Sequence, residues 1–317
     1  ERELLSDEGY WPVALSPGGS RLVVKRLKQQ LAGYATTTWG VVDLATDEIV
    51  ASVESADDWW QPSLVDLNAI RLYRLVKMEV VGEQGNDGPR PMVLVAHDLT
   101  QGAELGRVEL PDLLAGYWGT GRTWESGGYV EEIEEYRIPG FALSPDGARF
   151  AVVHPGGDTL TTIDARTFAV ERTAAIAERR SAVDRLAAWL PLAPESAAAK
   201  AEEGTSRDAV FAADGASLYV WGMESRADEE HLSRIGTALQ RIDVATGEIL
   251  ATALEGEEID RVLPLADAVY VAGRGPDGTL PFVLRRLDPT SLAVEAERAY
   301  GEWQAFVAMR PGDGEAG

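Results

Sequence analysis

The side chains able to do chemistry are few, and their spacing is the first clue. The histidines are His97, His154 and His231, and no two have the HxxxH separation that puts two metal ligands on one helix face. His97 stands directly before an Asp at a chain reversal and His154 ends an apolar run, so both read as structural. The chain has no cysteine, which removes thiolate nucleophiles, disulfides and thiolate metal sites. Neither a GxSxG nucleophile elbow nor a GxGxxG or GxxxxGKS/T phosphate loop occurs. GYWGTGRT (116–123) is rich in glycine but satisfies neither phosphate-loop pattern.

Carboxylates and aromatic rings are left. Asp58, Asp208 and Glu302 each open a strand-like run, as do Trp11, Trp60, Arg137 and Arg261. If those runs converge on a channel, the three carboxylates could ligate a metal ion. The turns GNDG (85–88), GPDG (275–278) and GDG (312–314) carry oxygen donors of the kind calcium takes, without the spacing of an EF-hand loop. No cofactor is expected, and calcium is the one ion these turns suggest. Residues 110–139 gather Tyr117, Trp118, Trp124, Tyr129 and Tyr136 around the acidic run EEIEE (131–135). Rings beside carboxylates suit a sugar or a cationic group, through stacking and cation–π attraction. In residues 174–204, Ile176, Val183, Leu186, Trp189 and Leu190 fall near helical spacing in an Ala-rich stretch. That pattern predicts a helix over 174–190, stopped by Pro191 and Pro194, with Trp189 as an anchor for a partner.

These side chains need elements to hold them, and the sequence supplies them by repetition. VVDLATDEIV, AHDLTQGAEL, TIDARTFAV, RIDVATGEIL and RLDPTSLAV centre on Asp43, Asp98, Asp164, Asp243 and Asp288. In each, an apolar run ends at Asp, a few turn-forming residues follow, and a second run begins. That reads as an antiparallel hairpin whose Asp accepts hydrogen bonds from the turn backbone. A second phrase precedes each hairpin: VALSPGGSRLVV (13–24), FALSPDGARFAVV (141–153) and VFAADGASLYVW (210–221), with weaker versions at 63–75 and 262–273. The unit is therefore four antiparallel strands. The Asp residues lie 55, 66, 79 and 45 apart, and the shortest interval matches the roughly 40–45 residues of a propeller blade.

The predicted fold is an all-β propeller of five four-stranded blades with a partial sixth at 302–314. It forms one domain over residues 1–317, with an aromatic and acidic loop inserted at 110–139 and a helical insertion at 174–204. The pairing of xALSPDGxxxxVV with xIDxxTxxVxxTxxI resembles the YVTN-type repeats of surface-layer and periplasmic bacterial proteins. YVWG (219–222) and YVAG (270–273) stand closest to the YVTN tetrapeptide itself. The resemblance implies an extracytoplasmic bacterial setting, at the cell surface or in the periplasm. It implies either a binding scaffold or a propeller enzyme, the latter a lactonase-like metal-dependent hydrolase or a subunit of a periplasmic redox enzyme.

Charge narrows the partners. With 29 Lys and Arg against 52 Asp and Glu, the net charge is −23. Such a surface repels phosphate backbones, so nucleic acid is not expected. No run approaches the ~18 apolar residues of a membrane-spanning helix. The chain opens ERELLSDEGY without an initiator Met, so sequence upstream is expected, and through it an association with a membrane complex. The expected function is a non-catalytic scaffold that binds another protein or a glycan.

Overall fold

The structure is a computed structural model. It describes residues 10–16, 19–29, 35–55, 61–66, 70–78, 88–126, 129–178, 204–227, 232–274 and 282–300. Every regular element among them is a β-strand.

Five antiparallel sheets follow one another along the chain. The first blade is β1 (Tyr10–Leu15), β2 (Arg21–Gln29), β3 (Ala35–Asp43) and β4 (Glu48–Ser55). The second is β5 (Ser63–Asp66), β6 (Arg71–Lys77), β7 (Arg90–Asp98) and the first half of the long β8 (Ala103–Ser126). After β9 (Tyr129–Ile138) comes the third, β10 (Gly140–Leu143), β11 (Arg149–Val153), β12 (Thr159–Asp164) and β13 (Val170–Ala175). A short β14 (Ala177–Glu178) precedes the fourth blade. That blade is β15 (Gly204–Phe211), β16 (Ser217–Ala227), a third strand split into β17 (Leu232–Gly236) and β18 (Leu239–Asp243), and β19 (Glu248–Ala253). The fifth is β20 (Glu258–Pro264), β21 (Val269–Arg274), β22 (Phe282–Leu287) and β23 (Val294–Tyr300).

The sheets stack face to face because strand alternation gives each an apolar side for each neighbour. Val23, Trp39, Val41 and Val53 of the first blade pack on Leu72 and Leu99 of the second. Tyr73, Leu75, Met92 and Leu94 meet Phe141, Phe150 and Ile163 of the third. Phe150 is fully buried, with its ring 4.6 Å edge-on from Tyr73 and 5.6 Å from Phe141. Burying such a ring contributes about 1.5–3 kcal/mol. Two further cores join the third blade to the fourth and the fourth to the fifth.

All five hairpin aspartates fall where the repeat places them, at the turn between third and fourth strands. Asp164 Oδ1 accepts from the Arg166 and Thr167 amides at 3.0 and 2.6 Å and from the Thr167 hydroxyl at 2.7 Å. Asp43, Asp98, Asp243 and Asp288 make the same set or part of it. The fourth residue after each Asp returns its amide to the Asp carbonyl and adopts a left-handed φ: Asp47, Gly102, Phe168, Gly247 and Leu292. The Thr167 hydroxyl, with the turn amides, holds the Asp164 carboxyl below the usual carboxylate range.

Antiparallel order sends alternate turns to opposite ends of the strands. One end, the hairpin face, carries the Asp turns and the first-to-second-strand turns. The other, the loop face, carries the second-to-third-strand turns and the links between blades. Contacts between neighbours keep the Asp turns level: Tyr219 donates to the Pro289 carbonyl at 2.8 Å and Arg172 to the Thr246 carbonyl at 3.4 Å.

Two expectations are corrected here. The 110–139 insertion is not a loop but a β-ribbon, in which the outer half of β8 pairs with β9 from Gly116↔Arg137 to Ser126↔Tyr129. The helix predicted from residue 174 does not begin there. Leu160 pairs with Ala174 and Thr159 with Ala175, and Ala177 and Glu178 lie parallel to Glu248 and Ile249 of β19. Completing one sheet and covering the edge of the next overrides the helical preference of alanine. Residues 179–203 and 302–314, with the rest of that helix and the partial sixth unit, lie outside the described residues.

Candidate functional site

The ribbon leaves the second blade, crosses the loop face of the third and attaches to the fourth. There Tyr136, Arg137 and Ile138 of β9 pair in parallel with Gly204, Thr205 and Ser206 of β15, the first strand of the fourth blade. Strand alternation divides the ribbon's side chains between two faces. Tyr117 and Tyr136 are cross-strand partners, stacked with ring centroids 6.2 Å apart and planes 16° from parallel. Tyr117 packs on the core between the second and third blades, and the Tyr136 hydroxyl shares a 2.5 Å hydrogen bond with Ser225 Oγ on β16. A Cβ at Gly204 would lie 2.4 Å from the Tyr136 ring, so only glycine lets the ring seat there.

Trp118 and its partner Glu135 belong to the other face, with Arg137 over the Trp118 ring at 6.0 Å. Between this face and the turn 154–158 of the third blade lies a cavity of about 310 Å³. Asp112, Trp118, Glu135, Arg137, His154 and Asp158 line it, with Thr205 at its wall. The volume sits at the low end of the range for ligand sites.

The charges of this cavity do not cancel. Asp112, Glu135 and Asp158 make no ion pair among the described residues. Arg137 is the cation in the lining. Burial pushes the His154 imidazole down from its usual range, against the opposing pull of Asp158 and Asp112, so the ring is neutral near pH 7. Its Nε2 lies 3.1 Å from Thr161 Oγ1. Arg207, behind the turn, is spoken for by Glu224 at 3.1 Å.

The residues expected from sequence are distributed as follows. Tyr117 and Trp118 share the ribbon but not a face: Tyr117 is structural and Trp118 lines the cavity. Near the ribbon's tip the backbone of Trp124 pairs with Glu131 and that of Tyr129 with Ser126. Trp189, Asp58 and Glu302 lie outside the described residues, as do Trp60, His231 and the calcium candidates at 275–278 and 312–314. Of the turn GNDG only Gly88 is described. Asp208 lies on β15, opposite Trp221. It reaches water, yet desolvation by the surrounding protein pushes its carboxyl above the usual range. Among the described residues no three His, Asp or Glu side chains gather as a metal site. Sequence reasoning did not single out Asp112, Asp158 or Thr205, and it gave His154 a structural role only.

No family model matches the chain, and no curated protein matches it in sequence. Its likeness is to solved structures. The β-propeller domain of Cps50 (Swd1) from Myceliophteria thermophila superposes with a TM-score of 0.51 at 14% identity, over 92% of this chain and 73% of that one. The fold is a β-propeller. KlAtg21, solved in complex with the coiled-coil of AgAtg16, gives a TM-score of 0.48 at 10% identity, over 92% of this chain and 71% of that one. A chain of the mitotic checkpoint complex gives 0.47 at 12% identity, over 92% of this chain. This propeller spans only 65% of that chain's length.

Proposed function

We propose that this propeller is a non-catalytic scaffold that binds a protein partner on its loop face, with the β8–β9 ribbon and the cavity beneath it as the docking element. One observation carries the reading. The ribbon is the strongest departure from the repeat, and both its strands are held at its base, β8 by the second blade and β9 by β15, where Trp118, Glu135 and Arg137 line a cavity. Recognition residues gather on connections held by a rigid frame. The resemblance to surface-layer repeats supports an extracytoplasmic bacterial setting, which fractionation of cells carrying a tagged chain would check.

The test is a shortened ribbon, with residues 120–133 replaced by Asn-Gly so that Gly119 and Glu134 close a tight hairpin. Tyr117, Trp118 and Tyr136 keep their places. Quantitative co-purification from the native host should lose the partner recovered with the unmodified chain, while the melting temperature stays within a few degrees. A partner retained by the shortened chain, or a glycan bound in its stead, would overturn the reading.

A further inference from the structure

We infer that the cavity under the ribbon receives a basic side chain, an arginine or lysine presented by the partner; this rests on the loop-face docking reading above. Three features point to the ligand independently. The first is charge: Asp112, Glu135 and Asp158 face one guanidinium, Arg137, and a neutral His154, leaving two negative charges uncompensated. A carboxylate group of this kind in a partly enclosed site attracts a cation more strongly than it would in open water.

The second is a hydroxyl open to the cavity. Thr205 is 6% exposed and lines the cavity, and its Oγ1 makes no hydrogen bond among the described residues, which leaves the oxygen accessible to a donor entering from the cavity. A guanidinium or ammonium brings several N–H donors and no acceptor, which matches a wall of carboxylates and one unpaired hydroxyl oxygen. The third is the ring. The chain's own Arg137 already rests over Trp118, so the indole lies where a cation can reach it. An anionic ligand would meet three carboxylates, and a neutral apolar one would leave their net charge unbalanced and offer Thr205 no donor.

The small volume fits the end of one long side chain and not a folded segment. Recognition would therefore consist of a partner loop lying along the ribbon with a single basic residue inserted. Pairs of this kind, partly desolvated and charge-assisted, set specificity and association rate.

The experiment uses the whole chain and three defined probes: the tripeptide amides acetyl-Gly-Arg-Gly, acetyl-Gly-Lys-Gly and acetyl-Gly-citrulline-Gly. Citrulline keeps the shape of arginine and removes its charge. Titration calorimetry should show the arginyl or lysyl probe binding about tenfold or more tighter than the citrullyl probe, with affinity falling as salt rises. The double variant E135Q/D158N should lose about tenfold for the basic probe and change little for citrulline. Glu171→Gln, on the hairpin side of the third blade, should bind like the unmodified chain. Equal affinity for citrulline, or binding indifferent to salt, would overturn the inference without needing any variant to fold. The two readings also fail separately. If the shortened ribbon releases the partner while no basic probe binds the cavity, the docking reading stands and this one falls. If the basic probe binds and the partner survives ribbon shortening, the cavity takes a cation but is not the docking site.

Discussion

At one end of its strands this propeller reverses direction through five nearly identical hairpins; at the other, the described connections range from the tight turn 154–158 to the long β8–β9 ribbon. On the hairpin face each turn is closed by its own atoms. An Asp carboxylate takes the turn amides, a Thr or Ser hydroxyl joins it in four of the five, and the fourth residue after the Asp carries a left-handed φ. Among the described residues the loop face repeats no such Asp turn, although its turn 154–158 is also closed locally, with Gly157 donating to the His154 carbonyl. Its ribbon is held by distant partners: Tyr117 on the core between blades, Tyr136 on Ser225, and β9 on β15. Local closure makes a turn reproducible, so it suits the part that must be copied. Closure by distant partners leaves the intervening side chains unspent, and on this propeller they line a cavity with unbalanced charge. Stability should therefore be sensitive on the hairpin face and binding on the loop face.

The largest expected effect on stability comes from Gly247. Its φ of +79° lies in the left-handed region, and a Cβ there would sit 2.4 Å from the Ala175 carbonyl oxygen. Gly247→Ala should cost about 1–3 kcal/mol in denaturant unfolding; a loss below that range would mean the hairpin yields freely. Asp243→Ala, in the same hairpin, removes bonds to the Thr246 amide and hydroxyl, at 2.7 and 2.8 Å. It should cost about 0.5–2 kcal/mol, as for other side-chain caps of backbone amides. Asp47 occupies the left-handed position of the first hairpin at φ +60° and is exposed. Asp47→Gly should therefore stabilise, by about 0.5–1 kcal/mol.

On the loop face, Asp112→Asn and Glu135→Gln should each change stability by less than about 0.5 kcal/mol. A larger loss would show the cavity wall to be structural. The smallest effect is in pH. His154 has a depressed pKa, so the unfolded chain takes up its proton first as pH falls below about 6.5. Stability conferred by the neutral ring is full above that pH and declines as pH drops toward the folded value. Asp208 works the other way: its raised pKa favours the protonated folded state, so its contribution is lost as pH rises through the folded value. His154→Gln should flatten the difference in melting temperature between pH 7 and pH 5.5, and Asp208→Asn should raise the melting temperature at pH 7.

The hairpin face was legible because its information is local. Asp164, Thr167 and the apolar runs beside them lie within a dozen residues, and the same spacing recurs at Asp43 with Thr46 and Asp243 with Thr246. The ribbon was visible as an anomaly but not as strands. YVEEIEEYRI (129–138) lacks clean alternation, and its extended form is set by pairing with β8 and β15. The end of β13 and β14 misled for the same reason, since an alanine-rich run took its conformation from Thr159, Leu160 and Glu248. The cavity was least legible. Asp112, Glu135, His154, Asp158 and Thr205 come from four separate stretches, and only the ribbon's crossing brings them together.

That crossing also bears on descent. In a plain array each repeat touches only its neighbours, so one can be duplicated or lost and the rest will close up. Here β9 joins the second blade to the fourth over the top of the third. A recombination event that removed the third blade would leave the ribbon spanning a gap of the wrong width, and one that doubled it would leave the ribbon short of β15. Losing or doubling the third blade alone would therefore break the β9–β15 pairing, whereas the same event in the first or fifth blade would leave it in place.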